Sequence, residues 1–120
     1  MVERIPDLPD NVLGFSATGT VSAKDYESVI IPAVEALFAR QIEARFLYHL
    51  GEQFSGFEAA AMWDDAKLGL KHLSGWERVA VVSDVEWIRA AVKIFRLAIP
   101  GQVRVFHNRE LADARRWIAE

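Results

Sequence analysis

Arg78-Val79-Ala80-Val81-Val82-Ser83-Asp84-Val85-Glu86-Trp87-Ile88 reads as a buried strand running straight into a capped helix. A near-continuous Val/Ala run is what a strand covered on both faces requires. Ser83 with Glu86 three positions later has the spacing of a capping box, in which each side chain satisfies an orphan N–H of the first helical turn. A strand joined to a helix in this way is the repeating unit of an α/β sheet.

Downstream, the helix is expected over about 84–97, stopped by Pro100-Gly101. Val103 to Phe106 follows as a last strand, and Asn108 is placed to cap a terminal helix carrying Leu111, Ala114, Trp117 and Ile118. Upstream, a helix from about Phe57 to His72 offers Ala60, Ala61, Leu68 and Leu73 as core contacts. Before it, Phe46 to Leu50 is a strand closed by Gly51, with Glu52 to Gly56 as a loop. Ser22 caps the first helix, Asp25 sits in its first turn, and Tyr26, Val29, Ile30, Val34 and Leu37 follow at helical spacing. Pro32 removes the bond to the carbonyl of Ser28, which predicts a kinked helix over about 23–40 or two abutting segments.

Val12 to Thr20 alternates, with Leu13, Phe15 and Ala17 on one side and Gly14, Ser16 and Thr18 on the other, the period of a half-exposed antiparallel strand. Residues 2–5 form its hairpin partner across the turn-rich Pro6-Asp7-Leu8-Pro9-Asp10-Asn11. The expected fold is α/β, a five-stranded mixed sheet with four helices in the order β-β-α-β-α-β-α-β-α.

Length and composition bound the function. A chain of 120 residues, with 52% apolar and 26% charged residues and no linker-like stretch, is expected to form one domain over 1–120. No apolar run approaches the roughly 18–20 residues that cross a bilayer. The N-terminus has neither a basic leader nor an apolar h-region, so a cytoplasmic location is expected. The absence of cysteine excludes disulfides, thiol chemistry and every Cys-containing metal site. A net charge of −3 argues against a nucleic-acid surface. Residues 1–50 hold seven acids against four bases and residues 51–120 hold ten of each, which leaves room for a local basic patch.

The element order, together with Val12-Leu13-Gly14-Phe15, Asp25-Tyr26, Ile31-Pro32-Ala33, Met62-Trp63-Asp64-Asp65-Ala66-Lys67-Leu68-Gly69 and the Arg78 to Ile88 segment, resembles the SpoIIAA-like (STAS/Sec14-like) family of small bacterial proteins. The resemblance covers essentially the whole chain. It implies the fold of anti-sigma-factor antagonists, which is also the core of lipid-carrying Sec14 domains. Antagonists of that kind carry an Asp-Ser-Ser-Gly-type segment after the third strand, whose serine is phosphorylated at a helix N-terminus. Here the loop reads Gln53-Phe54-Ser55-Gly56-Phe57, so Ser55 is the candidate phosphorylation site, without the acidic neighbour.

No catalytic constellation stands out. His49 falls in a strand, His72 at a helix end and His107 at the exit of the last strand, and no two of them form an i, i+4 ligand pair. No metal and no cofactor are expected. Trp63 and Lys67 share a helix face, while adjacent Asp64 and Asp65 diverge around the helix and form no acid–base dyad. After Ser83, one stripe of Ile88, Ala91, Val92 and Phe95 faces the sheet, and a second of Trp87, Ala90, Ile94 and Leu97 needs other cover. A neighbouring helix, a second subunit or an apolar ligand under Phe95 to Pro100 can provide it.

These features predict a non-enzymatic interaction or regulatory module of the STAS type, forming a homodimer and meeting a regulatory protein. The candidate partner surface is Phe54, Phe57, Trp63 and Lys67, and the candidate dimer or ligand face is Trp87, Ile94, Leu97 and Ile99. The alternative is a small carrier or sensor of an apolar or lipid-like ligand.

Overall fold

The computed structural model describes residues 1–40 and 43–120, with the side chains of Leu70 and Leu73 left undescribed. Among these residues the sheet has five strands: β1 (Val2–Arg4), β2 (Val12–Val21), β3 (Ala44–Phe57), β4 (Trp76–Ser83) and β5 (Gln102–Phe106), in that spatial order. β1 pairs antiparallel with β2, and every later pair is parallel. The helices are α1, built from Ala23–Asp25, Tyr26–Ile30 and Ile31–Arg40, then α2 (Ala59–Lys71), α3 (Glu86–Phe95) and α4 (Leu111–Ala119). This is the expected order.

Three crossovers that each advance one strand in the same direction place α1, α2 and α3 on one face of the sheet. On that face Tyr26, Ile30, Val34 and Leu37 of α1, Ala61 and Leu68 of α2 and Ile88 of α3 pack onto Phe15, Tyr48, Val79 and Val81. On the other face Ala114, Trp117 and Ile118 of α4 meet Val12, Leu47, Ala80 and Val82, with Ile5 and Leu8 packed against the same cluster. The guanidinium groups of Arg78 and Arg104 lie over the Trp117 ring at 5.1 and 5.3 Å.

Ser22 caps α1 as its spacing predicts. Its Oγ accepts from Asp25 N–H at 3.2 Å and Asp25 Oδ2 accepts from Ser22 N–H at 2.9 Å. Pro32 lies in the first turn of the Ile31–Arg40 segment, which abuts the segment before it, as one of the two expected outcomes has it. The turn before it, Tyr26–Ile30, is a π-helical turn, in which Ile31 N–H reaches the Tyr26 carbonyl.

Several local expectations are corrected. β2 is not half-exposed: it lies inside the sheet between β1 and β3, and Ile5 and Leu8 crowd Gly14, where a Cβ would stand 2.4 Å from Leu8 Cδ1. The segment Glu52 to Gly56 is strand rather than loop, because β2 runs on to Val21 and offers it a ladder. The register slips around Gly19, whose φ of 64° needs glycine, so the extra residues are absorbed as bulges. Ser83 does not cap α3. It still belongs to β4, opposite Leu50, and Asp84 and Val85 intervene before the helix; its Oγ accepts only from Val85 N–H, at 3.1 Å. Asn108 caps nothing either, since it opens a 3-10 turn whose cap is His107. Ala60 is exposed, and the side chain of Leu73, expected in the core, lies outside the described residues.

Candidate functional site

α2 and α3 stand apart over the sheet, and the space between them is a cavity of about 260 Å³, open to solvent along one side. Phe46, Tyr48, Val79 and Val81 form its floor. One wall is Met62, Asp65 and Leu68 of α2, and the other is Trp87, Ile88, Ala91, Val92 and Phe95 of α3. Ile30 and Ile99 also line it. The volume sits just under the usual range of small-molecule sites, about 300–1,000 Å³, and exceeds an engineered cavity of about 150 Å³ that holds benzene.

Aromatic rings line it in a continuous chain. Trp76 meets Phe46 edge-on at 5.6 Å, Phe46 meets Tyr48 at 5.5 Å, Tyr48 meets Phe57 at 6.3 Å, and Phe57 meets Trp87 at 6.3 Å. The last pair ties the end of β3 to the start of α3. Edge-to-face contacts of this kind hold rings in fixed orientations without filling the space in front of them.

Asp65 is the one charged side chain in the lining among the described residues. It occupies the inward stripe of α2 between Ala61 and Leu68, one turn from each. Tyr26 Oη donates to Asp65 Oδ1 at 2.8 Å, and Tyr26 and Tyr48 hydroxyls lie 3.0 Å apart. Asp65 is an exposed residue on the open side of the cavity, but its carboxyl oxygen reaches in to the buried Tyr26 hydroxyl. Burial of that carboxyl raises its pKa above the ordinary carboxylate value, with the Tyr26 hydrogen bond opposing the rise. The Tyr26 and Tyr48 hydroxyls are likewise pushed up, first by burial. Asp64 turns away, with Oδ1 3.8 Å from Lys67 Nζ.

Elsewhere the candidate residues scatter. Ser55 lies exposed on β3, and Gly56, Phe57 and Glu58 separate it from the start of α2, so it is not at a helix N-terminus. Phe54 and Phe57 are half-buried, their rings 5.0 Å apart, and Lys67 is exposed. Trp63, Trp87, Ile94 and Leu97 are 66%, 50%, 72% and 85% exposed, so no neighbouring helix covers the second stripe of α3, whereas Ile99 is buried. Only Phe57, Trp87 and Ile99 of these residues reach the cavity.

Each histidine has its own partner. His49 Nδ1 lies 3.3 Å from Ser16 Oγ, and burial lowers its pKa; His72 Nε2 bonds Glu35 at 3.0 Å, and His107 Nδ1 bonds Asp84 at 3.1 Å. Among the described residues no three His, Asp or Glu side chains converge as a metal site, and no helix is long and apolar enough to cross a membrane.

A family model described as SpoIIAA-like matches residues 12–119. A crystal structure of an uncharacterised protein of the DUF3478 family, with a SpoIIAA-like fold, from Shewanella loihica PV-4, superposes with a TM-score of 0.76 at 29% identity. The alignment covers 98% of this chain and 92% of that one. A search of curated proteins gives no match.

Proposed function

This chain belongs to the SpoIIAA-like family, and from that footing we propose that it is a non-catalytic binding module that takes a small, mainly apolar molecule between α2 and α3. One observation carries the reading: an aromatic-walled cavity of about 260 Å³ opens to solvent over the sheet, with a single polar end at Asp65 and Tyr48. An apolar pocket with a few convergent polar groups is the usual form of a ligand site, and a carboxylate with a raised pKa inside it adds weight.

Calorimetric titration with toluene, an apolar probe of suitable size, tests it. The wild type binds, and Val81→Phe, which places a ring on the cavity floor, does not. A wild type that takes up no toluene counts against the reading.

The exposed side chains of Trp63 on α2, of Trp87 and Ile94 on α3 and of Leu97 just after it support a second reading, an interaction module that pairs with another copy or with a regulatory protein. Sedimentation of the wild type beside Trp87→Glu separates them: a dimer that dissociates in the variant supports pairing, and monomers in both remove it. Ser55, exposed on β3, adds no support to a phosphorylation switch.

A further inference from the structure

Building on the ligand reading, we infer that the occupant of the cavity is a small organic cation, an ammonium head held by Asp65 on a single-ring or branched apolar body. The hydroxyl protons at the polar end decide the head group. Ionised Asp65 can only accept, so in that state the one proton of Tyr26 lies on the bond to Asp65 Oδ1 at 2.8 Å. The proton shared between Tyr26 and Tyr48, 3.0 Å apart, is therefore that of Tyr48. The chain runs from Tyr48 to Tyr26 to Asp65, and both protons are spent inside it.

What remains for a ligand is the second oxygen of Asp65 and the lone pairs of Tyr48, acceptors without donors. Such an end selects a molecule that brings N–H groups. A positive charge does more, because a carboxylate beside apolar and aromatic walls attracts a counter-charge, and no cation stands within ion-pair distance of Asp65 among the described residues. The rings of Phe46, Tyr48, Phe57, Trp76 and Trp87 suit the same occupant, since π faces attract ammonium groups.

The surroundings contain nothing that would repel a cation. Tyr26 of α1 and Tyr48 of β3 are the titratable groups facing Asp65, and Asp25 at the start of α1 adds negative charge near Tyr48. On α2 itself, Lys67 is engaged with Asp64 at 3.8 Å. β4 and α3 contribute only apolar and aromatic side chains to the lining.

The experiment compares benzylamine with benzyl alcohol and toluene by calorimetry or by the fluorescence of the lining tryptophans. Benzylamine is expected to bind about tenfold tighter than benzyl alcohol to the wild type. Asp65→Asn abolishes that preference while toluene binding persists. Tyr48→Phe, which removes one acceptor and keeps the ring, weakens benzylamine alone. Affinity for benzylamine rises as pH climbs above the ordinary aspartate value, since the amine stays protonated and Asp65 must ionise to meet it, and binding releases protons.

Benzyl alcohol binding as tightly as benzylamine overturns the cation and leaves the cavity reading intact. A benzylamine preference that survives Asp65→Asn also overturns it. Failure of all three probes overturns both readings.

Discussion

Asp65 shows how one residue in the register of a buried stripe changes the reading of a whole face. Adjacent carboxylates diverge around a helix, so Asp64 and Asp65 form no dyad. Helical spacing from Ala61 to Leu68 fits Asp64 and Asp65 equally, and only the Tyr26 hydroxyl and the cavity lining show that Asp65 is the one that reaches in. Its raised pKa has a definite consequence for stability. A carboxyl whose folded pKa lies above its unfolded value contributes stability below the unfolded value, and that contribution is lost as pH rises through the folded pKa. Asp65→Asn keeps an acceptor for Tyr26 but cannot ionise. The ligand-free variant should therefore melt above the wild type at about pH 8 and close to it at about pH 4, as thermal unfolding followed by circular dichroism will show. A gap that narrows with rising pH would refute this.

Gly101 makes a sterner demand at the same scale. A Cβ there would stand 2.1 Å from the Trp76 carbonyl oxygen and 2.6 Å from that of Glu77, both backbone atoms of β4 that cannot yield cheaply. Gly101→Ala is expected to cost about 2 kcal/mol or more, read as a lower urea midpoint with an unchanged slope.

At the scale of elements, strands and helices were legible wherever hydrophobic period and length agreed, as for the Val/Ala run of β4 and the amphipathic stripe of α3. Their ends were less so. Gly51, Ser55 and Gly56 look like turn residues, and only the prolonged ladder from β2 keeps them extended. Ser83 and Glu86 have capping-box spacing, but parallel pairing with Leu50 holds Ser83 in the sheet and moves the helix start beyond Val85. The partner strand decides such boundaries, and a single sequence does not show its partner.

Helix α4 depends on arginines that rise from the sheet beneath it. Arg78 Nη1 donates to the Trp117 carbonyl at 2.7 Å, and Arg45 Nη1 donates to that of Ile118 at 2.9 Å, so the last turn is satisfied by side chains. Arg78 also stacks on the Trp117 ring. Arg78→Met keeps the aliphatic stem and removes the donor. It should cost about 1–2 kcal/mol and accelerate hydrogen exchange in α4 well before α1. Equal acceleration in both helices would mean that the contact does not anchor α4 specifically.

Considered as a whole, the molecule covers its sheet unevenly. Three helices share one face, yet α2 and α3 leave between them an opening lined with aromatic rings, and the outer stripe of α3 remains bare. The resemblance to the SpoIIAA-like family reached the fold, and the apolar excess of α3 pointed to unfinished business on that helix. The cavity itself was out of reach of sequence reasoning, because it is a distance between two helices and no residue encodes it alone. Methyl NMR during titration with toluene locates the ligand directly. Binding between α2 and α3 should shift the methyl signals of Leu68, Val79, Val81, Ile88 and Val92 together and leave Ile94 and Leu97 in place. Shifts confined to Ile94 and Leu97, or no shifts at all, would contradict it.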